Sequence, residues 1–205
     1  MATLAPTTRN VTRLFRTATA EQIEAGADWY KDAHEIAAAL AAKNGVTLAI
    51  AAGVLAAVSP LNSWGSNVNL AGRILAAGGL SAGYLSVGLA KADRILAGDD
   101  ILTTLNGDKI QNFFLGILTA GEQGVCIDRH AWSLAVNHRY SEGLIPTLKG
   151  KRYAAAVQAY TRAAAILSKE YGTPFTPAQV QAVTWTLWRN KFWSAGAFDK
   201  HDDVL

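Results

Sequence analysis

The sequence predicts an all-α protein with roughly eight to ten helices. Apolar residues recur at helical spacing through most of the chain, and almost no segment alternates polar and apolar residues with a period of two. Capping motifs, Gly and Pro separate the apolar segments. With 205 residues, 50% of them hydrophobic, the chain is long enough for one domain with a sizeable core.

The first two predicted helices occupy residues 20–58. Thr19 to Gln22 have the spacing of a capping box, and Gly45 is a C-cap candidate. The next helix, over 46–58, ends at Ser59-Pro60 because the residue before a proline avoids helical angles. Its apolar run is shorter than the roughly 20 residues that a membrane span needs, so we expect a buried helix and no membrane partner.

The middle of the chain predicts three shorter helical units. A helix from about Asn67 to Leu75 is stopped by Gly78-Gly79, and another covers about Val87 to Leu96. The turn signal "NGD" then separates two apolar segments within "LTTLNGDKIQNFFLGIL". This pattern predicts helix, tight hairpin, helix.

Three helices are predicted in the last third of the chain. One follows Asp128 and ends near Tyr140. The other two are long, over about 151–171 and, capped by Thr176 to Gln179, over about 177–193.

Charge and cysteine content limit the classes of function. The formal charge of +3 permits an acidic partner such as nucleic acid, although many other proteins carry a similar charge. The single cysteine, Cys126, cannot form an internal disulfide or hold an iron–sulfur cluster alone. The four histidines are scattered without metal-ligand spacing. We therefore expect no metal or other cofactor, and a reducing, cytoplasmic setting.

The sequence spacing between two motifs near the middle of the chain indicates a function. "LNGDK" ends at Lys109 and "CIDRHAW" contains Asp128, and 128 minus 109 gives 19. With this spacing the chain resembles the helix-hairpin-helix DNA glycosylase superfamily, which includes endonuclease III and eukaryotic 8-oxoguanine glycosylase. The hairpin here is shorter and lacks that family's proline and second glycine. The pattern "SP…W…N" with "IDRHA" also resembles a group of uncharacterised phage and actinobacterial proteins.

The resemblance implies a two-lobed helical fold and an enzyme that handles a flipped-out base in DNA. It is strongest over about 100–140 and extends back to about 46. One lobe, with a wedge loop and the hairpin, would cover about 46–140. Residues 1–45 plus 141–205 would form the other lobe of a single 1–205 unit.

The catalytic candidates are Asp128 and Lys109. A carboxylate can stabilise the positive charge that builds on the sugar when an N-glycosidic bond breaks. An amine held in a suitable environment can attack the sugar carbon and form a Schiff base. The alternatives are that Asp128 is only a helix N-cap, and that Lys109 is a surface lysine or a phosphate contact.

Further residues could contact the base or the DNA backbone, although each could instead be structural. Aromatic side chains at helical spacing usually belong to the core, a loop between helices needs no ligand, and a histidine can simply pack on a helix face. Trp185, Trp188 and Phe192 lie on one helical face and are interpreted as core. The base-pocket candidates are His130, Trp29, Tyr30 and Trp64, and the candidate DNA contacts are Asn62, Ser63, Gly107, Arg129, Arg189 and Lys191.

The sequence is compatible with three functions. The first is an N-glycosylase-like enzyme acting on double-stranded or locally unpaired DNA as a monomer. The second is a transferase of the same fold that attaches an amine or amino acid to an activated hydroxymethyl-pyrimidine in phage DNA, in the host cytoplasm. The third is a non-catalytic DNA- or protein-binding module, since fold does not determine function.

Overall fold

A computed structural model of the protein describes residues 4–80, 82–140 and 143–192. Over these residues the chain forms ten α-helices and no β-strand, which confirms the predicted all-α class. The helices are α1 (Thr8–Phe15), α2 (Ala20–Asn44), α3 (Leu48–Ala57), α4 (Trp64–Ala77), α5 (Ser86–Leu96), α6 (Ile101–Leu105), α7 (Asp108–Leu118), α8 (Arg129–Val136), α9 (Lys151–Tyr171) and α10 (Pro177–Phe192).

The capping signals form as the sequence predicts. The Gln22 backbone N–H donates to the Thr19 hydroxyl at 3.3 Å, and the Thr19 N–H donates to the Gln22 side chain at 2.9 Å. Thr176 and Gln179 make the same reciprocal pair before α10. Gly45 ends α2 in the left-handed conformation, with φ 66°.

Several boundaries differ from the prediction, each for a local reason. Helix α4 begins three residues before Asn67 because the Ser63 side chain accepts from the Ser66 N–H. Helix α8 stops at Val136, short of Tyr140, because Asn137 adopts left-handed angles. Residue 193, where the sequence predicts the end of α10, lies outside the described residues.

Helix α1 is not predicted from the sequence. Thr7 caps it, and Val11 and Phe15 are buried. Its eight residues are too few for a clear helical period, so its formation depends on packing against α9, α10 and α8.

The helices pack in two groups. Helix α3, buried on nearly every side, contacts α2, α4, α5, α6 and α7. Helices α1, α8, α9 and α10 contact one another, and α2 joins the groups by packing on α3, α4 and α7 and also on α10. Taken singly, none of the described helices is long and apolar enough to cross a membrane; α2 and α3 meet that test only as a pair, bent by 114°.

An extended segment, residues 124–128, runs through the interior from α7 to α8. The Tyr153 hydroxyl of α9 donates to the Val125 carbonyl at 2.7 Å and accepts from the Ile127 N–H at 3.0 Å. The Asn112 side chain of α7 accepts from the Val125 N–H at 3.0 Å. These contacts satisfy the backbone of a buried stretch that belongs to no helix, and they fix where Asp128 lies.

Candidate functional site

Asp128 is the N-cap of α8, and the residue is only 5% exposed. One oxygen, Oδ1, accepts from the backbone N–H groups of His130 at 2.9 Å and Ala131 at 2.7 Å. The other, Oδ2, accepts from the indole N–H of Trp185 on α10 at 2.8 Å. An ionised carboxylate can only accept hydrogen bonds, so three N–H donors match that form. The interpretation of Asp128 as a helix N-cap is confirmed. The third donor, the Trp185 indole, is not needed for capping.

His130 lies beside this carboxylate and is 2% exposed. Its ring meets the Trp185 ring edge to face, with centroids 5.9 Å apart, and its Nε2 accepts from the Arg129 Nε at 3.2 Å. The His130 pKa is lowered to about 4, chiefly by burial; Asp128 opposes this shift, and nearby cations add to it. The imidazole is therefore neutral near pH 7.

Three cations act on His130, namely Arg129, Arg189 and Lys109. They come from α8, α10 and α7, and we call them the cation group. The Arg189 guanidinium lies over the Trp185 ring, 4.8 Å from its centroid. All three therefore lie within electrostatic range of the His130 ring. Among the sequence candidates, Arg129 and His130 directly follow Asp128 in the chain. Arg189 packs on the Trp185 ring that donates to Asp128, and Lys109 lies within electrostatic range of His130.

Cys126 lies next to the same site but is unsuited to nucleophilic attack. Its thiol is fully buried, and burial raises its pKa to about 12 although Lys109 opposes the rise. A thiol, unlike a thiolate, is a poor nucleophile. Asp128 and Lys109 therefore remain the catalytic candidates at this site.

The hairpin that presents Lys109 is a two-residue turn between α6 and α7. Gly107 has φ 138°, where glycine is favoured, and a Cβ added there would meet nothing within 4 Å. Lys91 donates to the Leu105 carbonyl, and the Gln111 side chain donates to the Leu102 carbonyl at 2.7 Å. Contacts from α5 and α7 thus hold the short hairpin in place.

The loop before α4 exposes Leu61, the neighbour of the candidate Asn62. The Asn62 side chain donates to the Val58 carbonyl at 3.3 Å, and Ser63 caps α4, so both have local roles. Leu61 has φ 57° and is 60% exposed, and the Tyr84 hydroxyl holds the adjacent Pro60 carbonyl. An exposed leucine at left-handed angles is uncommon, and no sequence signal pointed to those angles.

The aromatic candidates divide between surface and core. Trp29 and Trp64 are half-buried, with ring centroids 5.1 Å apart, and both contact Phe113. Tyr30 is fully buried, and its ring lies where a Cβ on Gly116 would approach to 2.5 Å. The expectation that Tyr30 lines a base pocket is therefore corrected, because close helix packing encloses it.

Helix α10 closes the core, as the sequence predicts, and also supplies a residue that the sequence missed. Trp185 and Trp188 are buried, and the ammonium of the exposed Lys191 lies over the Phe192 ring at 5.3 Å. Only the structure reveals that the Trp185 indole reaches Asp128. The available signal was the i, i+4 spacing of Trp185 and Arg189, which places both on one face.

The described residues contain no group of three or more His, Cys, Asp or Glu side chains placed to hold a metal ion. No curated protein and no solved structure matches the chain. The model of one family, described as a family of unknown function (DUF7178), matches residues 1–192. The chain therefore belongs to this family of unknown function.

Proposed function

We propose that the protein is a DNA-acting enzyme that handles a flipped-out base, as an N-glycosylase-like enzyme with Asp128 as the essential carboxylate. The observation that carries the proposal is the buried Asp128 carboxylate, held by three N–H donors that come from two helices. The order of a helical hairpin, an extended segment and a helix that begins at an aspartate also supports the resemblance to the helix-hairpin-helix glycosylase fold.

The hydrogen bonds indicate what Asp128 would do. Cleavage of an N-glycosidic bond builds positive charge on the sugar, and a fixed carboxylate stabilises that charge. Three N–H donors already occupy much of the accepting capacity of Asp128. It is therefore better suited to electrostatic stabilisation than to taking a proton. The neutral His130 beside it adds no positive charge to oppose this role.

Lys109 has two possible roles in this scheme. It could attack the sugar carbon as the N-glycosidic bond breaks and the base leaves with the bonding electrons, and then form a Schiff base as the sugar ring opens. Alternatively, it could contact a DNA phosphate. Borohydride reduction separates them, because it traps a Schiff base as a covalent protein–DNA adduct. Trapping that is lost in Lys109→Ala supports the nucleophile, whereas weaker binding without trapping supports the phosphate contact.

The surface near α4 is suited to holding DNA with a base removed from the stack. An enzyme that flips a base fills the gap with a side chain and stacks the base on aromatic rings. The exposed Leu61, next to Asn62, is an apolar side chain of that kind, and Trp29 with Trp64 offers the aromatic surface. Gly107, Arg129, Arg189 and Lys191 remain the candidate contacts to the backbone.

The test is product analysis after incubation with duplex and single-stranded DNA that carries modified or mismatched bases. A glycosylase releases a free base or leaves an abasic site. We expect that product from the unmodified chain and its loss in Asp128→Asn. Full activity of Asp128→Asn would overturn the mechanism, and DNA binding without any product would favour the non-catalytic module.

The cation group favours a second candidate, the transferase. An activated hydroxymethyl group leaves as an anion such as phosphate, and three nearby cations would stabilise that leaving group. Attachment of an amine or amino acid would leave the glycosidic bond intact. The product would then be a heavier nucleoside after digestion of the DNA, with no free base.

A further inference from the structure

Trp185 makes a contact that its place in the core does not require. Its indole N–H donates to Asp128 Oδ2 at 2.8 Å, across 57 residues of sequence. Trp188, one turn later on the same helix, is equally buried, yet its indole N–H has no hydrogen-bond partner among the described residues. Burial alone therefore does not direct an indole N–H to an acceptor on this helix.

The two oxygens of Asp128 are held from different helices. Helix α8 holds Oδ1 through two backbone N–H groups, and α10 holds Oδ2 through the indole. The Trp185 ring is itself fixed by His130 at its edge and by the Arg189 guanidinium over its face. Two anchors fix the plane of the carboxylate, whereas the backbone anchor alone would leave the plane free to turn.

We propose that Trp185 is a positioning residue that sets the orientation of the Asp128 carboxylate toward the substrate. The inference rests on the proposed function, because orientation matters only if Asp128 acts on a substrate. Hydrogen bonds to a charged group typically contribute about 1.5–3 kcal/mol. Loss of this one should therefore slow the reaction about 10- to 100-fold, with KM nearly unchanged.

The hydrogen bond itself is tested without any substrate. In a ¹H–¹⁵N spectrum the Trp185 indole resonance, assigned by its loss in Trp185→Phe, should shift upfield in Asp128→Asn, because an amide oxygen is a weaker acceptor than a carboxylate. The Trp188 indole resonance is the internal control and should stay in place. An unmoved Trp185 resonance would overturn the inference, whatever the enzyme does.

The positioning role is tested by kinetics. Trp185→Phe should lower kcat and leave KM nearly unchanged, because the carboxylate keeps its charge and loses the donor that fixes its orientation. Benzothienylalanine at position 185 keeps the ring shape without the N–H and should do the same. Trp188→Phe should leave both kcat and KM unchanged, which separates the role from general core damage.

Different results would overturn the positioning role of Trp185 and the proposed function. An unchanged kcat in Trp185→Phe, with an active unmodified chain, would overturn the positioning role and leave the proposed function intact. No product from the unmodified chain on any DNA would overturn the proposed function, and with it the positioning role, even where the spectrum shows the hydrogen bond.

Discussion

Two helices of this protein begin at an aspartate N-cap, and the surroundings of the two caps differ sharply. Asp100, at the start of α6, is exposed, and its partner is the neighbouring Thr103, whose N–H donates to the carboxylate at 2.8 Å. Hydrogen bonding by Thr103 lowers the Asp100 pKa. Asp128, at the start of α8, is buried and accepts from three N–H groups, one of them on a distant helix.

Asp128 has more hydrogen-bond donors than helix capping requires. One or two backbone donors are enough to cap a helix, and an exposed aspartate does this well. Burial of a carboxylate costs free energy unless it is hydrogen-bonded and compensated by nearby charge. The three N–H donors supply those hydrogen bonds at Asp128, and the Trp185 indole among them is a donor that a simple cap would not need.

The largest expected effect on stability is at Asp128. Asp128→Ala leaves three buried N–H donors without their acceptor, so the free energy of unfolding should fall by about 4 kcal/mol. Asp100→Ala removes an exposed cap and should lower it by about 1 kcal/mol. Urea denaturation of both variants measures the gap. Equal losses would mean that the two aspartates are equivalent caps.

His130 should make the surroundings of Asp128 sensitive to pH. Its pKa is about 4 in the folded protein against an ordinary 6.5, so the unfolded chain takes up the proton first as the pH falls. This contribution to the free energy of unfolding is complete above about pH 6.5. It is lost between there and pH 4, by on the order of 3 kcal/mol.

The check is urea denaturation across pH 4–7 for the unmodified chain and His130→Gln. The variant should lose most of the slope in this range. The Asp100 pKa lies below that of an ordinary aspartate. Its protonation also removes stability, but only when the pH falls below the ordinary aspartate pKa. An unchanged pH dependence of the free energy of unfolding in His130→Gln would contradict its attribution to His130.

A smaller effect is expected at the extended segment that leads to Asp128. Tyr153→Phe removes the hydroxyl that bonds both the Val125 carbonyl and the Ile127 N–H, and should lower the free energy of unfolding by about 2 kcal/mol. Tyr171→Phe, on the same helix α9, alters an exposed tyrosine and should change it by less than about 0.5 kcal/mol. Thermal and urea unfolding of both variants measures these losses. Equal losses in the two variants would contradict the prediction.

The sequence predicts best what depends on neighbouring residues. The capping pair Thr19 and Gln22, the C-cap at Gly45 and the two long final helices follow from local spacing, and each forms as predicted. Helix α1 does not follow, because eight residues show no clear period and its stability comes from packing.

The candidate site is only partly predictable for the same reason. Asp128 and Lys109 could be singled out from their spacing, but the bond between Asp128 and Trp185 spans 57 residues and depends on how α8 meets α10. The left-handed angles of Leu61 and the enclosure of Tyr30 also arise from tertiary packing. Local pattern carries no information on these contacts.

The reaction rates of variants at the two capping aspartates distinguish a catalytic carboxylate from a simple cap. Asp128→Asn and Asp100→Asn each keep an oxygen that can cap the helix and each remove one charge, so they form a matched pair. Single-turnover rates on the DNA substrate should fall by roughly 100-fold or more in Asp128→Asn and stay within about twofold of the unmodified chain in Asp100→Asn. Equal rates in the two folded variants would contradict the central claim that Asp128 is a catalytic carboxylate as well as a cap.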